Sequence, residues 1–241
     1  MFLPPLLLVT SCFSLFFFRK FIGPYVLFLT AVISLTLTLV STLSDLIITL
    51  REGSYFVFDL GRWFYLYDIL ESNLLFMVDS LSLVTTLVVV TLTLLAQLFG
   101  LEYMYREAFL LRLLYLLNLF ATSVVFLFFV YDFFLVLVVW ECIGLFSLFL
   151  VNFYSSRVYT VKAALKTFIF SRVSDFFICI AFFVLVVYFS TSDFSIIFLK
   201  VPFLSYSKIY IFNCGISVLE LVAFSILVSS AVKAAQFGFH V

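Results

Sequence analysis

Seven stretches of this 241-residue chain are apolar enough to cross a bilayer as helices, and no other feature restricts the fold so tightly. A helix needs about 20 residues to span about 30 Å of hydrocarbon. The expected spans lie near residues 2–18, 22–50, 76–100, 109–130, 133–153, 168–190 and 217–236. With 66% hydrophobic and 11% charged residues, the chain cannot cover a water-soluble globule, for which about a quarter charged residues is usual. The expected fold class is therefore an all-α polytopic membrane protein forming one membrane domain over residues 1–241. The formal charge is zero, so nothing points to nucleic acid as a partner.

Lys and Arg counts set the expected orientation. The odd-numbered connections carry eight (Arg19, Lys20, Arg106, Arg112, Arg157, Lys162, Lys166, Arg172) and the even-numbered ones four (Arg51, Arg62, Lys200, Lys208). The positive-inside rule then puts the odd connections on the side of synthesis and the N-terminus opposite. The first run is not expected to be a cleaved signal, because its charges follow the apolar stretch and no small-residue cleavage site is present. Residues 51–75 alternate aromatic and polar side chains around Gly61, which fits either a small outer-surface hairpin or an aromatic interfacial loop. The four cysteines are dispersed, without C-x-x-C or Cys/His spacing, so metal, iron–sulfur and disulfide frameworks are unsupported. The 36 phenylalanines match the codon bias of a T-rich genome and hint at an organellar gene.

Ionisable residues inside apolar spans carry the functional signal, because an uncompensated charge at the bilayer centre costs about 3 kcal/mol or more. Glu141 lies nine residues after Asp132, about 14 Å into the fifth span and near the midplane, too deep to reach the interface. Ser217 and Glu220 form an S-x-x-E capping box, which starts the seventh helix at Val218 and puts Lys233 about 23 Å along it. Were the helix to start near Tyr206, Lys233 would be an ordinary flanking lysine. Glu141 and Lys233 are expected about two turns apart in depth, joined by the lysine side chain and water. Arg172 and Asp175 read as an i, i+3 ion pair that lets the sixth helix enter the membrane. His240, the only histidine, is structural on spacing alone.

Three stretches, "FMVDSLSLVTTLVVVTLTLLAQLFGLEYM" at 76–104, "WECIGLFSLFLVNFYSSRVYTVKAALKTFIFSRVSDFF" at 140–177 and "VKAAQFGFH" at 232–240, together resemble the first half of the antiporter-like subunit 5 family of respiratory complex I. The family motifs W-E-x-x-G-L-x-S, N-R-x-G-D and K-S-A-Q-x-x-x-H occur in this order. The chain departs from them at Val139, Ser171, Ser174 and Ala234, without loss of an ionisable group.

The resemblance implies the first part of an inverted-repeat fold whose last helix is broken at Lys233. It also implies proton transfer through Glu141 and Lys233, with His240 as a relay candidate and Arg172 and Asp175 in a conduction or subunit-contact region. The implied setting is the mitochondrial inner membrane, among other complex I membrane subunits and lipids. No cofactor is expected on this chain; FMN, iron–sulfur clusters and ubiquinone belong to the parent complex. The family continues past the histidine, so a second polypeptide completing the fold after Val241 is expected from a split gene. The alternatives are a subunit of a multisubunit cation/proton antiporter or a non-conducting structural fragment.

Overall fold

The computed structural model describes residues 3–17, 21, 23–67, 70–104, 107, 109–204, 207–211, 214–236 and 238–239. Its elements are α1 (Leu3–Phe17), α2 (Pro24–Glu52), β1 (Phe56–Leu66), β2 (Leu70–Val78), α3 (Ser80–Tyr103), α4 (Leu110–Phe129), α5 (Phe133–Val151), α6 (Val158–Phe189), α7 (Phe194–Leu204), β3 (Lys208–Ile211), β4 (Cys214–Ser217) and α8 (Val218–Lys233). Five helices, α2 to α6, are long and apolar enough to cross a membrane, so the chain is a multi-pass membrane protein. The first and last expected spans are the shorter helices α1 and α8, of 15 and 16 residues.

Two differences from the expected layout have local causes. Helix α6 starts at Val158, ten residues before the apolar run, because the segment carrying Lys162 and Lys166 continues the same helix beyond the hydrophobic stretch. The connection after it, too short in apolar length for a span, contains α7 and a small antiparallel pair in which Lys208 faces Ser217 and Ile211 faces Cys214.

The chain divides into two compact units, with α5 and α6 contributing residues to both. The first holds α1 to α4 and residues 145–161. Its helices turn small polar residues inward. On α2 the buried stripe is Thr38, Thr42, Asp45 and Thr49, spaced four, three and four apart on one face, while Leu37, Val40, Ile47 and Leu50 are exposed. The three threonine hydroxyls donate to carbonyls one turn back. Gln97 of α3 donates to Asn118 of α4 at 2.6 Å, both fully buried. Such small-residue and amide contacts associate helices where lipid provides no hydrophobic drive between them.

The second unit comprises residues 58–76, 130–144 and 162–241. Strands β1 and β2 pair as a hairpin, and the rings of Trp63 and Phe64 lie 5.4 and 5.9 Å from that of Phe134 at the start of α5. Phe133 stacks on Phe182 of α6 at 5.9 Å, within a core that includes Leu70, Ile178, Leu185 and Val222. Helix α8 begins with the expected capping box: Ser217 Oγ accepts from the Glu220 amide, and the Glu220 carboxylate accepts from the Ser217 amide. It ends at Lys233. There the amides of Ala235 and Gln236 donate to the carbonyls of Val232 and Ala231, and Ala235 takes φ +49°. This is a Schellman closure with alanine where glycine is usual.

Candidate functional site: an acid and base row between three helices

The second unit brings together four of the five predicted site residues: Glu141 from α5, Arg172 and Asp175 from α6, and Lys233 from the last turn of α8. His240 lies outside the described residues. The guanidinium of Arg172 forks onto Glu141, with Nη1 donating to Oε1 at 3.1 Å and Nη2 to Oε2 at 2.6 Å. This bidentate match fixes both side chains. The same Nη2 lies 3.0 Å from Asp175 Oδ2, so the i, i+3 ion pair forms. On its other side, Asp175 Oδ1 is 3.8 Å from the Lys233 amine. Neither Asp175 oxygen accepts an aligned hydrogen bond, so charge alone holds this carboxylate. Side-chain exposure is 39% for Glu141 and 40% for Arg172 but 7% for Asp175 and 18% for Lys233, so the row is open at one end and closed at the other.

Spacing suggests Glu141 and Lys233 joined through the lysine side chain and water; in the structure two further residues stand between them. Arg172 occupies the glutamate, and Asp175 faces the lysine. The lysine nevertheless reaches the level of Glu141: its amine donates to the Trp140 carbonyl at 3.1 Å and lies 5.1 Å from the Trp140 ring centre. A cation over an indole face gains about 0.5–2 kcal/mol. Acid, base, acid, base thus alternate along the row, and with all four groups ionised it is electrically neutral. That neutrality lets four charges reside in an apolar bundle.

Sequence reading passes over several supporting residues. Trp140 Nε1 donates to Ser174 Oγ at 3.1 Å, and Ser174, fully buried, donates to the Ser229 carbonyl at 3.0 Å with the Ser229 hydroxyl at 3.1 Å. One hydroxyl therefore ties α5, α6 and α8 together beside the charges, at a position where the family motif has glycine. Asp45, buried on α2, is a further carboxylate within a spanning helix. Only its position in an apolar helix could have marked it, and the Thr-rich and Ser-rich surroundings hide that signal.

Gly144 explains a motif glycine. A Cβ there would meet the Lys233 amine at 3.2 Å, Ser171 Cβ at 3.9 Å and Arg172 Nη2 at 4.0 Å. The lysine tip is flexible, so Gly144→Ala should fold while pushing the amine off the Trp140 carbonyl. We expect the Lys233 amine to lose its hydrogen bond to the Trp140 carbonyl in this variant. A structure of Gly144→Ala checks this; an amine still within hydrogen-bonding distance of that carbonyl would contradict it.

Residues 130–241 match the family described as NADH:quinone oxidoreductase/Mrp antiporter, transmembrane, and residues 63–112 match the N-terminus of complex I chain 5. The whole chain aligns at 29% identity with NADH-ubiquinone oxidoreductase chain 5 of Acanthamoeba castellanii, covering 36% of that protein. The corresponding protein of Paramecium tetraurelia is 38% identical over 42% of this chain and 18% of its own length. NADH-quinone oxidoreductase subunit L of Rickettsia bellii is 32% identical over 42% of this chain and 16% of its own. The chain thus spans about a third or less of these relatives. Along its length it is similar to proteins named NADH-ubiquinone oxidoreductase chain 5 and NADH-quinone oxidoreductase subunit L.

Proposed function

We propose that this chain is a membrane subunit of NADH:ubiquinone oxidoreductase and that Glu141, Asp175 and Lys233 pass protons within the row, with Arg172 as their permanently charged counter-ion. The observation that carries the reading is the alternation of two acids and two bases across α5, α6 and α8. The links are unequal. Arg172 and Glu141 are locked by two hydrogen bonds, whereas Lys233 and Asp175 are 3.8 Å apart without one. Coulomb attraction at such a distance is about 4 kcal/mol at an effective dielectric of about 20. A small displacement of Asp175 therefore changes how firmly Lys233 keeps its proton. When Lys233 releases it, the row gains a net negative charge, which favours uptake of another proton at the open, Glu141 end.

Electron transfer belongs to other subunits of the parent complex, where FMN, iron–sulfur clusters and ubiquinone would act. The chain would reside in the mitochondrial inner membrane among other complex I membrane subunits and lipids.

The description of the transmembrane family also covers Mrp antiporters, which favours a second reading, a multisubunit cation/proton antiporter. The match of residues 63–112 to the complex I chain 5 N-terminus supports the first. Sealed vesicles containing the parent complex distinguish them. The first reading predicts proton uptake driven by NADH oxidation without sodium; uptake driven only by a sodium gradient, with no NADH oxidation, would support the second.

A further inference from the structure

A second ionisable cluster lies in the same unit, where strand β2 meets the ends of α5, α6 and α7, nine residues and about 14 Å along α5 from Glu141. Asp132 precedes α5 and is fully buried. Its Oδ1 accepts the amides of Phe134 and Leu135 at 2.7 and 3.2 Å, and its Oδ2 accepts Ser192 Oγ at 2.7 Å. Asp193 precedes α7 and is 7% exposed. Its Oδ2 accepts Asn73 Nδ2 of β2 at 3.1 Å, whereas its Oδ1 is buried with no donor. The two aspartates face each other across an antiparallel backbone bridge, a register that sets their side chains on one face with Cβ atoms about 5 Å apart.

Two carboxylates cannot both stay ionised side by side in a buried position without a cation, and they resolve the conflict by holding one proton between them. Among the described residues, neither aspartate makes a salt bridge. The other charged groups near the pair, again among the described residues, do not neutralise it: Asp59 of β1 adds negative charge, Glu71 of β2 takes part through its backbone with its side chain exposed, and Lys200 of α7 is aimed at the Phe189 ring 5.5 Å away.

We propose that Asp193 and Asp132 form a proton-binding carboxyl pair, with one hydrogen donated from Asp193 Oδ1 to Asp132, that fastens the β1–β2 hairpin to the ends of α5 and α6. Around the pair, the Glu71 amide donates to the Ser190 carbonyl, the Ser192 amide and hydroxyl donate to the Glu71 carbonyl, and the Phe133 amide donates to the Ser192 carbonyl. Loss of the proton sets two negative charges against each other at the centre of this junction. The proposal does not depend on the role assigned to Glu141 and Lys233.

Burial, opposed by the Asn73 hydrogen bond and reinforced by Asp132, raises the Asp193 carboxyl from the ordinary 3.8 to about 6. A raised acid favours the protonated, fastened junction. Its contribution is complete below about pH 4 and is lost as pH rises through about 6. Hydrogen exchange at the Ser192 and Phe133 amides of the intact complex tests this, after correction for intrinsic exchange rates.

In the natural protein, protection should fall about tenfold between about pH 5 and about pH 7. In Asp193→Asn, whose amide imitates the protonated acid, protection should stay high and independent of pH. Asp132→Asn should likewise abolish the pH dependence. Flat protection in the natural protein would overturn the proposal without recourse to any variant, and so would an undiminished pH dependence in Asp193→Asn. Since the readout is local exchange, it is independent of whether the complex pumps protons.

Discussion

Lys233→Ala should abolish NADH-driven proton translocation while leaving the complex assembled. The lysine amine is held by a single hydrogen bond to the Trp140 carbonyl, by the Trp140 ring and by an unaligned carboxylate. In the proposed mechanism, removing it takes away the group that gives up and regains the proton, and acid–base groups of this kind contribute about a hundredfold or more. Folding should survive. Asp175 keeps Arg172 at 3.0 Å, and the closure of α8 uses backbone groups alone. Translocation measured by a pH-sensitive dye in sealed vesicles should fall at least about a hundredfold, with the subunit still present at normal amounts in the isolated membranes. A pumping variant would remove Lys233 from the mechanism.

Arg172→Met should have the largest effect on stability. Arg172 is the only cation of the row in contact with both carboxylates, and it makes two hydrogen bonds to Glu141. Its removal leaves two carboxylates against one cation, with Asp175 buried and the Lys233 amine 3.8 Å from it. Breaking a fully buried ion pair from one side costs about 3–5 kcal/mol, and the cost here is reduced because Arg172 and Glu141 are partly exposed. We expect assembled subunit to fall sharply in membranes carrying the variant. Adding Asp175→Asn removes the stranded charge, so the double variant should recover much of the assembly. It should still not pump, since the row has lost two of its four members. Equal instability of the single and double variants would show that Arg172 acts through packing, including its contact with the Phe168 ring at 4.9 Å.

Local signals made much of this legible in the sequence. The apolar runs correspond to helices α1 to α6 and α8, because in hydrocarbon every backbone group must be satisfied within its own segment. Ser217 and Glu220, three residues apart, marked the start of α8, and Arg172 and Asp175 marked an ion pair on one helix face. What escaped depends on distance through space. Trp140, Ser174 and Ser229 come together from three helices, and no residue spacing announces a hydroxyl that bonds an indole 34 positions earlier. The same holds for Asp132 and Asp193, which pair only because the segments after α4 and α6 meet at strand β2. Depth counting placed Glu141 and Lys233 apart, because rise per residue measures backbone position and takes no account of where a lysine's tip reaches.

The central claim is that the charged row moves protons and is more than a set of structural ion pairs. Its most direct test is the number of protons translocated per NADH oxidised by the complex carrying Glu141→Gln together with Lys233→Ala, measured in sealed vesicles beside the natural complex. The row as a conductor predicts a lowered ratio while electron transfer to quinone continues. A ratio equal to that of the natural complex would contradict it.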